Sequence, residues 1–397
     1  MNSKSVLWIA ISFVTLALSG CGSSSSSDST PATGYIQIIN AITDAPDLDI
    51  DIDLDDETIQ TYAATDFGES SRLVNLSRDT YEMVVTYEDP EDGSDEVLIA
   101  STEFEITRDD VLTAILHGNM NSPEILWLEK PLGDVDDEDS EEFELQIVNL
   151  SERATSVYLG DDNNNISADT LIDVVSAGSN TEPTLVAHTE DIDYRLRLTE
   201  DSETDIRFDS GAISIPAGVR RLILIHDTFG PDPDSMSAFM VTSSGVDQYA
   251  NEAAQPSVRM LSAVADEASV AVSLEDPSTT NTLDSQTLAF GDVSDFLTVA
   301  PSFINTQVIT ASAPSTTYQS TVSLNEDTFF TILVGGSGLE EDITVRSVLS
   351  EHRPIATRSN ILFVNTLRET DVEDFDRVDF YALQLGDALA DTPPLFS

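Results

Sequence analysis

The sequence predicts an all-β protein, with three tandem immunoglobulin-like β-sandwich domains followed by a partial fourth repeat. Three observations carry that expectation. Apolar residues recur at every other position in many short runs, the mark of a strand with one buried face. No long segment shows the 3.6-residue period of an amphipathic helix. One pattern also returns along the chain at intervals of about a hundred residues, the signature of a repeat architecture.

The repeating stretch is Tyr35 to Leu54, YIQIINAITDAPDLDIDIDL. It returns as FELQIVNLSERATSVYL (Phe143 to Leu159), as SVRMLSAVADEASVAVSL (Ser257 to Leu274) and as ILFVNTLRETDVEDFDRVDFYAL (Ile361 to Leu383). Each copy has an apolar run, a polar turn and a second, alternating run, and so predicts two paired strands at the start of every unit. Asn40, Asn149 and Asn365 share one position, with Ser262 in the third copy. Gly68, Gly178 and Gly291 follow at near-constant distance. A strongly apolar strand closes each full unit and ends in His117, His226 and Gly335. A shared strand-end role for the two histidines fits better than a shared site, because the third copy has no side chain there.

In chain order, residues 1–20 read as a secretory signal peptide: Lys4, an apolar core from Val6 to Leu18, then small residues. Leu18-Ser19-Gly20-Cys21 resembles the lipobox of bacterial lipoproteins, and Cys21 is the only cysteine of the chain. The resemblance implies lipidation at Cys21. Gly22, rather than Asp, in the next position resembles lipoproteins sorted to the outer membrane of Gram-negative bacteria. Residues 21–33 form a lipidated Cys and a Ser-rich tether. The remaining divisions are repeat 1 over 34–130, an acidic linker over 131–142, repeat 2 over 143–242, a polar linker over 243–255, repeat 3 over 256–354 and the partial repeat 4 over 355–397.

The chain carries 73 acidic and 17 basic residues, a net charge of −56. Such a surface repels nucleic acid, which excludes DNA or RNA as partners. It suits solubility in a salty medium, where ions screen self-repulsion. The sharper reading is calcium binding. Asp47, Asp49, Asp51, Asp53 and Asp55 alternate along one strand, yet residues i and i+2 stand roughly 6.6 Å apart. Two oxygens on one Ca²⁺ lie within about 5 Å of each other, so the stripe reads as a solvated face. The weak metal candidates are Asp89, Asp92 and Asp95 in one acidic loop and Asp161, Asn163 and Asn165 in another. Neither loop has the Gly and Glu of an EF-hand. No cofactor is implied beyond possible Ca²⁺.

Asn40-Ala41, Asp44-Ala45-Pro46 and the strand Leu48 to Ile52 together resemble the opening of a bacterial domain-of-unknown-function family (4397-like), common in secreted and surface lipoproteins. Phe67-Gly68-Glu69-Ser70-Ser71 and Phe290-Gly291-Asp292-Val293-Ser294 resemble its next signature. Unit two lacks both. The resemblance implies a fold and no catalytic residues. HExxH, GxSxG, a Walker loop and a Cys nucleophile are all missing from the sequence.

The expected function is a non-enzymatic surface module, structural, adhesive or scaffolding, held to the membrane through its N-terminal lipid. The alternatives are a calcium- or carbohydrate-binding surface lipoprotein and, third, a polysaccharide-active enzyme. The partial fourth repeat suggests self-association through residues 360–397, by adding strands to another molecule's sheet. A protein or glycan partner is otherwise unspecified.

Overall fold

The computed structural model describes residues 32–358 and Val364, apart from 89–95, 110, 130–132, 135–140, 162–164, 190–191, 202, 301–302, 340–341 and 359–363. The signal peptide, Cys21 and the tether therefore lie outside the described residues, as does the fourth copy except for Val364.

The first unit has eight strands: β1 (Thr33–Asn40), β2 (Leu48–Leu54), β3 (Glu57–Thr65), β4 (Val74–Ser77), β5 (Asp79–Glu88), β6 (Glu96–Ile106), β7 (Val111–Asn119) and β8 (Ser122–Glu129). They form two four-stranded sheets, ordered β4-β1-β7-β8 and β3-β2-β5-β6. Only β1 and β7 run parallel, pairing Asn40 with Leu116. The third unit repeats this order strand for strand. One of its sheets holds Leu297–Thr298, Ser257–Ala263, Phe329–Ser337 and Asp342–Ser350, and the other Thr282–Leu288, Val270–Glu275, Phe303–Thr310 and Tyr318–Ser323. The second unit keeps the plan and widens one sheet to seven strands with Gly133–Asp134, Gly245–Gln248 and a split fourth strand. Each unit is a β-sandwich with its own apolar core between the sheets.

The expected pairing of the two opening strands is corrected. β1 and β2 lie in different sheets, and their equivalents do the same in the other units. Both strands face one core, β1 through Ile36 and Ile38 and β2 through Leu48, Ile50 and Ile52. The turn between them carries the chain across the sandwich. A hairpin would have placed both apolar sets on one sheet and left the other sheet without a buried face.

The repeated Asn explains how that crossing is held. Asn40 is fully buried. Its Nδ2 donates to the Thr65 carbonyl at 2.9 Å, and its Oδ1 accepts from the Ile42 amide at 3.1 Å. Thr65 ends β3 in the opposite sheet, so one side chain ties the two sheets together. Asn149 makes the same tie to the Val175 carbonyl at 2.9 Å and also reaches the Arg153 carbonyl at 2.7 Å. In unit three the shorter Ser262 has a buried hydroxyl without a hydrogen-bond partner.

The repeated Gly sits third in a β-turn at every copy, with φ of 79° at Gly68, 66° at Gly178 and 83° at Gly291. The turn bonds are Glu69 N to Asp66 O, Ser179 N to Ser176 O and Asp292 N to Ala289 O, each 3.1 Å. A type II turn requires this left-handed conformation at its third residue.

A second device sits four residues after the Asn. Asp44 Oδ1 accepts from the Met120 amide at 2.7 Å, fastening the β7–β8 hairpin. Asp266 accepts from the Gly338 amide at 3.0 Å in unit three. Unit two has Arg153 there, which donates to the carbonyls of Pro233 at 2.9 Å and Asp234 at 3.2 Å. The bond polarity is reversed and the hairpin is held all the same.

The units contact one another pairwise. Units one and two meet through equivalent faces of the sheet that contains β1. Ile39, Ala41, Ile115 and Leu128 form one buried cluster with Val148, Leu222, Leu224, Phe239 and Val241. Across this contact Gln37, fully buried, donates to the Thr242 carbonyl at 2.9 Å. Phe67 packs edge-on against His226, Phe229 and Phe239. Unit two meets unit three where Thr228 Oγ1 donates to Asp327 Oδ2 at 2.6 Å. The stretch after the last strand of unit three returns to unit one. There Arg353 donates to the Ala45 carbonyl at 2.7 Å and to Asp66 at 2.9 Å, and the Ala356 amide donates to the Asp44 carbonyl at 2.8 Å.

The segment read as a polar linker, 243–255, contributes the strand Gly245–Gln248 and the buried Asn251 to unit two. Asn251 accepts from the Asp209 amide at 3.0 Å and donates to the Arg207 carbonyl at 2.8 Å. Most of 131–142 lies outside the described residues.

Replacing Asn149 by Ala strands several buried backbone groups, each worth about 1–3 kcal/mol when unsatisfied. Urea unfolding of Asn149→Ala should show unit two destabilised by at least about 2 kcal/mol. Ser262→Ala, which removes no bond, should lie within about 0.5 kcal/mol of the parent chain.

Candidate functional site

Of the metal candidates, Asp89, Asp92, Asp95 and Asn163 lie outside the described residues. Asp161 ends the strand Thr155–Asp161 and is exposed. Asn165 caps a single 3₁₀ turn, accepting from the amide and the hydroxyl of Ser167 at 3.1 and 2.6 Å. Its oxygen is spent on that cap. Among the described residues no three His, Cys, Asp or Glu side chains group as metal ligands would.

Two carboxylates of the Asp stripe are used locally, while Asp53 Oδ1 is buried without a hydrogen-bond partner. Asp49 accepts from the Ala64 amide at 2.8 Å and Asp51 from the Thr61 hydroxyl at 2.5 Å, both on β3. Asp47 faces Arg358 at 3.6 Å. Asp55 and Asp56 have φ of 52° and 65° and form the tight turn between β2 and β3, which requires two left-handed residues. The intervening Leu48, Ile50 and Ile52 are buried as the alternation predicts.

The two repeat-related histidines have different surroundings. His117 stands opposite Glu124 in the β7–β8 ladder. Half-burial lowers its pKa and Glu124 opposes the shift. His226 lies inside the contact between units one and two, its ring 4.5 Å from Phe239 and 5.3 Å from Phe67. Its Nδ1 bonds the Asp227 carbonyl at 2.8 Å. Burial pushes its pKa down to about 4, against a smaller opposite pull from that bond and the Asp227 carboxylate. At neutral pH the ring is uncharged and works as an aromatic wedge.

Sequence reasoning missed a buried ion network in unit two. Tyr194-Arg-Leu-Arg-Leu198 alternates as a strand should, but both arginines are buried. Arg197 is fully enclosed between Asp209 at 3.0 Å and Asp169 at 2.5 Å, and Arg195 forms an ion pair with Asp209 at 3.0 Å and bonds Glu252. Desolvation works against the Arg197 charge, but its two carboxylate partners outweigh it and raise its pKa. Asp169 reaches Arg197 by packing over Gly160, where any Cβ would collide with its carboxylate. The available signal was the pairing of two Arg in a chain with so few cations.

A concavity lies on unit three. A groove of about 950 Å³ is lined by Leu261, Phe290, Leu333, Val348, Leu349 and His352, among others, and by Val364. Phe290 is 60% exposed and Leu349 49%. At one end Arg259 lies 4.7 Å over the Phe296 ring, while His352 stacks on Phe329 at 4.0 Å. The lining sets these apolar side chains beside Arg259, Thr331, Ser350, Glu351 and His352.

Residues 34–160 match the family model of DUF4397, a domain of unknown function. The match spans unit one and, in unit two, the strands Gly133–Asp134 and Glu142–Asn149 with the next strand as far as Gly160. No curated protein matches the chain. A solved structure, the Bacillus anthracis TIE protein, aligns over 76% of this chain and 50% of its own at 8% identity and a TM-score of 0.17. The aligned region is thus half of that protein's length, and a likeness of this size carries no argument.

Two acid-range predictions follow from the contacts between units. The folded pKa of His226 lies below the ordinary 6.5, so its contribution to stability is full above pH 6.5 and is lost as pH falls towards 4. Burial and the neighbouring Asp232 raise Asp327 to about 6, so its contribution is full below about 4 and is lost as pH rises to 6. The two slopes oppose each other. Melting midpoints between pH 4 and 7 should therefore rise on acidification in His226→Leu and fall in Asp327→Asn, relative to the parent.

Arg197→Met leaves Asp169 buried without its cation and Asp209 with Arg195 alone. Loss of one partner of a buried pair costs about 3–5 kcal/mol. Denaturant unfolding should report that loss, and the double change with Asp169→Asn should recover part of it.

Proposed function

We propose that the protein is a non-enzymatic structural module of the cell envelope, tethered by lipid at Cys21 to the outer membrane and serving as a scaffold. The observation that supports this most is the use of its repeated polar residues. Asn40 and Asn149 tie sheets together, Asp44 and Asp266 fasten hairpins, and His226 fills a contact between units. Side chains that recur at fixed intervals are here spent on holding each sandwich together and, at His226, on one contact between units. The heavily acidic surface supports solubility in salt and repulsion of polyanions.

A cell-based comparison tests the reading. In a strain lacking the protein, the complementing wild-type chain should fractionate with membranes and incorporate a palmitate analogue, whereas Cys21→Ser should do neither. Envelope defects should be rescued by a chain in which Asp49, Asp51 and Asp53 are all Asn. They should not be rescued by Ile39→Asp, which opens the contact between units one and two. Rescue by Ile39→Asp together with failure after a single surface carboxylate change would point instead to an enzyme or a cation site.

A further inference from the structure

Units one and two show what the β1-containing face is for, because each covers the other's. Among the described residues no such cluster joins the same face of unit three to another unit, although Leu333 on it is itself buried. The registers fix the correspondence: Asn40 pairs with Leu116, Asn149 with Ile225 and Ser262 with Val334. Hence Leu261 stands where Ile39 and Val148 make the contact, and Leu333 stands where Ile115 and Leu224 do. Phe290 occupies the turn position of Phe67, which inserts against unit two. In unit three this residue is 60% exposed, and with Leu261 and Leu333 it lines the large groove.

The fourth copy of the repeat begins within ten residues of this face. Aligning Asn365 with Asn40 puts Val364 at the position of Ile39 and Val148, and Leu362 at that of Gln37 and Gln146. Val364 is the one described residue of that copy, and it lies in the groove with Leu261, Phe290 and Leu333. Charge agrees. Arg259 and Arg346, the latter directly opposite Leu333 in the ladder, place two cations on the face, against the one carboxylate of Glu351 in the groove. Residues 359–397 hold eight acidic and two basic side chains.

We propose that this face of unit three is the docking site of the chain's own fourth repeat, residues 359–397, covering it as unit two covers unit one. The pairing rule is then one rule used twice: unit one with two, unit three with four.

Hydrogen–deuterium exchange on the full chain tests this. The peptide Ile361–Leu367 should be protected independently of protein concentration. Its protection should fall at least tenfold in Leu261→Asp and in Val364→Asp, while the core strand Phe303–Thr310 keeps its own. Val364→Asp lies outside the sandwich, so it decides the matter if Leu261→Asp disturbs folding. Exchange of Ile361–Leu367 at the unprotected rate in the parent chain overturns the proposal. Protection that appears only as concentration rises, with sedimentation showing a dimer, also overturns it and assigns the face to a second copy.

Discussion

The architecture depends on a strand that is buried on both of its faces. β1 turns Ile36 and Ile38 into the core of its own sandwich and Ile39 into the contact with the next unit. Its neighbour β7 is buried in the same way, and the parallel pairing of the two makes a central ribbon with no free side. Once such a ribbon exists, a sandwich alone is incomplete. One sheet must be covered by something beyond the unit, and unit two supplies the cover with the equivalent ribbon of its own. Equivalent surfaces meeting in this way resemble the self-complementary interface of a symmetric dimer, here joined in one chain.

Much of this was legible beforehand. The period-2 runs predicted strands, and strands are found; the glycines, read only as landmarks of the repeat, sit in left-handed turns. The continuous apolar character of IQIIN and LQIVN signals a strand buried on both faces. What covers the second face could not be read, because the covering residues sit about 180 positions away in Leu222 to Val241. The pairing of β1 with β2 was misjudged for a related reason. Adjacent strands with a short turn usually form a hairpin, and only the demand for two inward-facing sheets sends them apart.

The polar residues illustrate the same limit. Asn40 was visible as a repeated position, but its partner Thr65 belongs to another sheet and its tie depends on the tertiary fold. The exchange of Asp44 for Arg153 looked like loss of a motif in unit two. In three dimensions the carboxylate accepts from an amide of the hairpin and the guanidinium donates to its carbonyls, so the role survives with the charge reversed. Arg195 and Arg197 followed strand alternation, yet the outward side of that strand is covered by Asp169 and Glu252. Alternation reports which residues share a side and is silent about whether that side meets water.

The double burial of β1 has a consequence in time. The unit-one face is finished once Leu128 has been made, while its cover is finished only with Val241, roughly 110 residues later. At the synthesis rates of 5–20 residues per second typical of cells, the interval is on the order of 10 s. During that window an apolar sheet stands open on a folded domain, next to other copies that present the same surface. The order of the units along the chain therefore sets how long each nascent molecule must be kept apart from its neighbours.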